Sequence, residues 1–185
     1  MEEHMSDVVD LIIADHRELE RLFEVLENEP GKRALTLPVV TALLVAHSRA
    51  EEAEVYPVAR SEARETDEVA HSQEEHAEAE ELLEKLQGID PAAAEFGPAL
   101  NEFVKAVRHH IGEEESDVLP GIRERIGDAR RAELGAAFAA SRQAHLGEAP
   151  GEETKAELLQ QAKNAGIAGA SSMSKEDLTE ALKPE

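Results

Sequence analysis

The chain has 185 residues, 41% of them hydrophobic, with four Phe, one Tyr and no Trp, enough for one aliphatic core of ordinary size plus an appendage. It holds no cysteine, which excludes disulfides, zinc ribbons, iron–sulfur clusters and a thiol nucleophile. A net charge of −22 opposes binding to nucleic acid or anionic membrane, because both reward Lys and Arg contacts. With no signal-like or membrane-length apolar run, the expectation is a soluble cytoplasmic protein.

Four amphipathic helices are predicted before residue 127. The first has Ser6 as its cap and a stripe of Val9, Ile12, Ile13, Leu19, Phe23 and Leu26, ended by Pro30-Gly31. The second starts near Thr36, with Pro38 in its first turn and Val40, Leu43 and Leu44 inward, and runs to about Pro57. The third is capped by Thr66 and carries Val69, Ala79, Leu82, Leu83 and Leu86 before Gly88. The fourth follows Asp90-Pro91 and Gly97-Pro98, with Leu100, Phe103, Val107 and Ile111 inward. A shorter fifth helix is expected over 128–144. Short connections between helices of this length predict antiparallel neighbours, hence an all-α, up-down-up-down four-helix bundle over 6–146.

Residues 147–153 (GEAPGEE) read as a linker to a small unit at 154–185. That unit is expected to be a helix from Thr154 to about Asn164, a Gly166-Ile167 stop, an extended SSM segment, and a helix capped by Ser174 with Asp177.

One phrase is written twice: HSRAEEAEVYP at 47–57 and HIGEEESDVLP at 110–120. Placed on the helical stripes, its first His and first Glu fall inward, since residues three or four apart share a face. The inward series are Val9-Ile12-His16-Leu19-Phe23, Val40-Leu44-His47-Glu51-Val55, Val69-His76-Leu83, and Phe103-Val107-His110-Glu114-Val118. Four helices thus aim an imidazole at the axis, and two add a carboxylate one turn later. Buried ionised carboxylates cost several kcal/mol unless paired or bound to a metal. A metal centre removes that penalty, because neutral imidazole and carboxylate are both ligands. The thiolate-free set of His16, His47, Glu51, His76, His110 and Glu114 fits iron or manganese, and zinc less specifically. Six ligands exceed one tetrahedral zinc and suit two metals bridged by carboxylates. On this reading the Val-Tyr/Leu-Pro ending covers the layer with apolar bulk and stops the helix.

With DH at 15–16, both phrases and HSQEEHAEAEELL at 71–83, residues 8–126 resemble a bacterial hemerythrin-like (HHE cation-binding) domain. The resemblance implies those six residues as ligands of two non-haem iron ions, oxo- or hydroxo-bridged, with Glu51 and Glu114 as the bridging candidates. It implies a small-molecule ligand such as O2, peroxide or NO, with sensing, detoxification (a catalase-like, peroxide-consuming activity included) and iron handling all open. No catalytic residue is assigned apart from the metal ligands. Two departures stand against oxygen carriage. The third-helix pair His71 and His76 is five residues apart, about 140° of rotation, and Glu115 stands where an Asp ligand is expected. His71 is therefore read as outer or surface. Tyr56 is either a phenolate or hydrogen-bond donor at the centre or core lining, and Glu52 and Glu115 are either supporting groups or part of a solvated face. His109 points outward. Gly112 leaves space beside the metal, and Glu20 and Glu80 follow an inward His by four.

Residues 154–182 are similar to the helix-extended-helix of the transcription terminator Rho N-terminus and, in shape, SAP modules. That family contacts nucleic acid, but residues 149–185 hold four Lys, no Arg and seven acidic residues, so a protein partner is preferred for 154–185. The competing reading of the whole is a zinc-bound or metal-free helical scaffold, and a third is a nucleic-acid adaptor acting through the tail.

Overall fold

The structure is a computed structural model that describes residues 7–184. Among these residues it is all-helical. Helix α1 spans Val8–Asn28, α2 Arg33–Ala50, α3 Tyr56–Val58, α4 Thr66–Gln87, α5 Phe96–Glu113, α6 Leu119–Arg125, α7 Asp128–Ala144, α8 Lys155–Asn164 and α9 Lys175–Ala181. None is long and apolar enough to cross a membrane. Ser6, expected to cap the first helix, lies outside the described residues. Asp7 caps α1, its side chain accepting from the Val9 N–H at 2.9 Å.

The bundle is formed by α1, α2, α4 and α5, with α1 against α2 and α5, and α4 against α5. A fifth helix, α7, lies across α1 and α2, over the span the sequence predicted. The apolar interior is split into two clusters. One holds Leu19, Phe23, Leu26, Val40, Leu83, Phe96, Phe103 and Val107. The other holds Val9, Ile12, Val55, Tyr56, Val69, Leu119, Ile122 and Phe138. A layer of buried polar side chains falls between them in sequence on every bundle helix. His16 lies between Ile12 and Leu19, His47 between Leu44 and Ala50, His76 between Val69 and Leu83, and His110 between Val107 and Val118.

The repeated phrase does not stop its helix. Glu51–Val55 and Glu114–Val118 are π-helical turns, closed by Tyr56 N–H to Glu51 O and Leu119 N–H to Glu114 O. Proline lacks an N–H and crowds the carbonyl four residues back. Widening the turn ahead of Pro57 and Pro120 takes that carbonyl out of line, so the chain stays helical. The first path continues through α3 and a further π turn, Ala59–Ala63, before Arg64 ends it in a left-handed conformation at φ 62°. The second continues into α6.

Other boundaries shift for local reasons. A short 3-10 turn, Pro30–Lys32, starts α2 at Arg33, which puts Pro38 inside the helix rather than in its first turn. Thr66 is the first residue of α4, not its cap. Helix α5 begins at Phe96 and absorbs Gly97 and Pro98 in its first turn, where N–H groups have no helical partner anyway.

In the C-terminal unit the expected capping box of Ser174 with Asp177 forms, and Thr154, expected to begin its helix, instead caps it in a second box with Glu157. Leu158, Ala162, Ala170 and Leu178 make a small core. The SSM stretch is not extended throughout: Ala170–Ser172 is a 3-10 turn and only Met173 is extended, at φ −77° and ψ 149°. Helix α8 packs on α4 and on the π turn Glu51–Val55.

Candidate metal centre

The six residues singled out by helical phase converge. His16, His47, Glu51 and Glu114 form one group and Glu51, His76 and His110 a second, each with one ligand atom per residue within 4.8 Å of the others. Glu51 belongs to both. The imidazoles are paired, with ring centroids 5.1 Å apart for His16 and His47 and 4.6 Å for His76 and His110. Their Nε2 atoms face the two carboxylates. His47 and His76 lie 3.2 and 3.4 Å from Glu51 Oε2, and His16 and His110 lie 3.3 and 3.9 Å from Glu114 Oε2.

Each Nδ1 is held by a carboxylate from another helix. His47 meets Asp15 at 3.1 Å, His76 meets Glu52 at 3.1 Å, His110 meets Glu75 at 2.9 Å and His16 meets Glu115 at 2.9 Å. The pattern closes a ring: α1 supports α2, the π turn after α2 supports α4, α4 supports α5, and the π turn after α5 supports α1. A residue next to an inward one in sequence is turned by about 100°. That points it at the seam with the adjacent helix, where the neighbour's imidazole lies. An Nδ1–H bonded to carboxylate fixes the ring and turns the Nε2 lone pair inward, as ligating histidines require.

Electrostatics follow from this packing. Burial opposes a charge on His47, yet Glu51 and Asp15 hold its pKa up at about 10. Burial likewise opposes His76, and Glu51 with Glu52 raises it to about 10. Burial works against ionised Glu51 and Glu52, but Glu51 is kept well below the usual carboxylate range by His47 and His76, and Glu52 is lowered to about 2 by His76 and Arg49. Asp15 is lowered by His47 and Arg142, and Glu75 by His110, both against the effect of burial.

The donor set fits a cation. Both oxygens of Glu51 and of Glu114, and Nε2 of His16 and His47, are buried and make no hydrogen bond. Buried polar groups are normally satisfied, and six such atoms at the meeting point of four helices are accounted for by metal ligation.

The remaining candidates separate clearly. Tyr56 is fully buried with its hydroxyl 3.1 Å from His76 Nε2, so it lines the centre. Burial and the carboxylates of Glu114, Glu51 and Glu52 push its phenol well above its ordinary range. Glu115 supports His16 and pairs with Arg17. Glu52, expected on a solvated face in preference to a supporting role, is instead 4% exposed and receives hydrogen bonds from Gln73 and Gln161 at 2.8 and 2.9 Å. His71 and His109 are on the surface, their side chains 54% and 63% exposed. Gly112 is exposed, and a Cβ there would meet nothing within 4 Å, so it opens no space at the centre. Glu20 pairs with Arg108 and Glu80 with Arg49, both away from the imidazoles.

Sequence reasoning missed Asp15 and Glu75, which directly precede His16 and His76. It also missed Gln161 and Asn164 of α8, whose amides reach Glu52 Oε2 and Glu52 O, each at 2.9 Å. A carboxylate beside each inward ligand was the available signal for the first two. Nothing local marks the last two.

The family model of the hemerythrin HHE cation-binding domain matches residues 7–122, the stretch that carries all six inward residues. The chain belongs to this family. It is also similar to a DNA nickase of Nostoc sp., 30% identical over 138 residues, covering 74% of this chain and 39% of that protein. A hemerythrin-like protein of Schizosaccharomyces pombe is 27% identical over 138 residues, covering 72% of this chain and 68% of that protein. This chain therefore spans well under half of the nickase. No solved structure matches. As an HHE domain, the chain is a metal-binding helical bundle, and its ligand layer lies within the matched residues.

Proposed function

We propose that the bundle holds two non-haem iron ions and that the pair binds or turns over a small molecule: O2, peroxide or NO. The observation that carries this reading is the two donor groups joined at Glu51, with four imidazoles, two carboxylates and no sulfur. Such a nitrogen and oxygen set favours iron or manganese over thiophilic metals. When bound, a ferrous pair supplies electrons for reduction of O2 or peroxide and an open position for NO.

The protein's own groups have separable roles. His16 and His47 with Glu51 and Glu114 would hold one ion, and His76 and His110 with Glu51 the other. Asp15, Glu52, Glu75 and Glu115 hold the four Nδ1 protons and keep the rings aimed. Tyr56 retains its phenolic proton and can donate a hydrogen bond to a molecule at the His76 side. The apolar clusters above and below exclude bulk water from the layer.

Metal analysis after anaerobic reconstitution, with an optical spectrum, tests this directly. The expected result is two irons per chain with ligand-to-metal bands and peroxide consumption by the loaded protein. Fewer than one iron per chain and no such bands would overturn it. The scaffold reading predicts instead that His110→Ala leaves thermal stability of the metal-treated protein unchanged. DNA as a substrate, raised by the Nostoc relative, is weighed against by the net charge of −22, and a plasmid-nicking assay at low salt checks it. Salt-sensitive binding of nucleic acid by residues 149–185 of the full chain is the matching test for the tail.

A further inference from the structure

Outside the ring of carboxylates, Glu75 has one oxygen left over. Its Oε2 accepts the His110 Nδ1 proton at 2.9 Å, while its Oε1 is buried and without a hydrogen-bond partner. The residue as a whole is only 8% exposed. That free oxygen faces outward, 3.7 Å from His71 Nε2 and 3.6 Å from His109 Nε2. Both distances are too long for a hydrogen bond.

The two imidazoles share a second carboxylate. Glu113 places Oε2 at 2.9 Å from His71 Nε2 and Oε1 at 3.2 Å from His109 Nε2. His71 comes from α4, and His109 and Glu113 come from one face of α5 at a four-residue spacing, which stacks them. Ligand atoms of His71, Glu75 and Glu113 lie within 4.8 Å of one another; His109 falls outside that group and reaches it through Glu113 and Glu75. On the α4 side, His71 and Glu75 also line a cleft of about 750 Å³ together with Glu74, Glu78 and Glu81.

We propose that His71, Glu113 and Glu75 Oε1, with His109 at their edge, form a second divalent-cation site on the outer face of α4 and α5, adjoining the bundle centre through Glu75, whose other oxygen supports His110. Two imidazoles and two carboxylates suit zinc, ferrous iron or cobalt, and the nitrogen ligands disfavour calcium and magnesium. A cation there draws the spread ligand atoms to bonds of about 2.0–2.2 Å, satisfies Glu75 Oε1, and is favoured by the acidic cleft. An ion-pair cluster of protonated histidines would account for Glu113, but it gives the buried Glu75 oxygen only two loose ion pairs at 3.6 and 3.7 Å and no hydrogen bond. The proposal does not depend on which metal the bundle holds.

The test titrates the full chain, with its interior metal in place, with Zn2+ by calorimetry and with Co2+ by its visible absorption. The wild type is compared with a His71→Ala/His109→Ala double variant, whose surface positions leave the fold undisturbed by circular dichroism and melting temperature. The expected result is one additional ion per chain in the wild type, weakened at least tenfold in the variant, with equal interior metal in both. A His110→Ala chain, whose interior ligation is broken, keeps the outer ion, which separates failure at one centre from failure at the other. Equal uptake and affinity in wild type and double variant would overturn the site. So would a loss of interior metal in the double variant, which would assign these histidines to the inner centre instead.

Discussion

The two copies of the repeated phrase share a backbone but not an environment. In both, the first Glu enters the metal layer and opens a π turn, and the second supports an imidazole of another helix. Glu52, however, has a side chain 5% exposed, walled in by Arg49, Gln73 and α8, whereas Glu115 is 26% exposed and faces Arg17 at the surface. The difference lies in what covers each copy. The C-terminal unit sits on the first copy, adding Gln161 and Asn164 to Glu52, and Arg60 returns the contact by donating to Lys163 O at 2.7 Å. A repeat fixes which way a carboxylate points. The neighbour that closes over it fixes how strongly it is held.

The sharpest way to break the symmetry is at the inward carboxylates. Glu51 serves both donor groups and Glu114 falls in one. Glu51→Ala should cut bound metal to under about a tenth of wild type, and Glu114→Ala to roughly half, because ligand loss removes binding energy directly. Metal-to-protein ratios by mass spectrometry after desalting decide it, and equal losses would show that the two carboxylates are equivalent.

The supporting carboxylates come next. Glu52→Ala leaves buried partners on three elements unmatched and should destabilise the metal-free chain by about 3 kcal/mol in urea unfolding. Glu115→Ala removes a partly exposed pair with Arg17 and the partner of His16 Nδ1, and should cost about 1–2 kcal/mol, less than Glu52→Ala because solvent can reach the gap. In metal affinity, Glu52→Gln should lose about 10–100-fold, as outer-shell changes do, and Glu115→Gln the lower end of that range.

Acidity offers a milder probe. His47 and His76 both have their folded pKa raised from the ordinary 6.5 to about 10. Their stabilising contribution to the metal-free chain is fully present below pH 6.5 and is lost as pH rises through about 10. Metal needs the same rings neutral, so affinity should rise over that window, by up to about tenfold per pH unit for each proton displaced. Chelator competition between about pH 6 and 8 measures it, and a flat profile would mean that these rings are already neutral.

The smallest effect is expected at the end of the phrase. Tyr56→Phe removes one buried hydrogen bond to His76 and should cost about 1 kcal/mol. A change in the optical spectrum of the loaded protein, larger than that stability loss explains, would place the hydroxyl in the chemistry.

Much of the fold was legible because helical phase, Pro/Gly breaks and capping residues are local. The fifth helix, the Ser174–Asp177 capping box of the tail and the inward set of His16, His47, Glu51, His76, His110 and Glu114 all follow from spacing alone. Helix ends at proline were misread, since Pro57 and Pro120 stop an α-helix by rule and a π turn lifts the rule. The support of Glu52 by Gln161 and Asn164 was illegible for a different reason. Those residues lie more than a hundred positions away, |i−j| 109 and 112, and only the docking of α8 brings them in.

A π turn is an α-helix carrying one residue too many, which makes the two wide turns here a matter of counting. Deleting Ala53, an exposed residue within Glu51–Val55, would let the helix relax to its ordinary pitch. Everything beyond it would keep its face relative to Glu51, because the wide turn already absorbs the surplus residue's rotation of about 100°. Tyr56 would stay above Glu51 as the residue four places on, but Pro57 would meet an intact turn, so the surplus residue would prove to be what lets a proline follow a phenol stacked on a shared carboxylate. In the second copy the same wide turn closes on Leu119, whose side chain has no polar atom, above Glu114. One duplicated backbone device thus presents a hydroxyl on one side of the centre and bare hydrocarbon on the other.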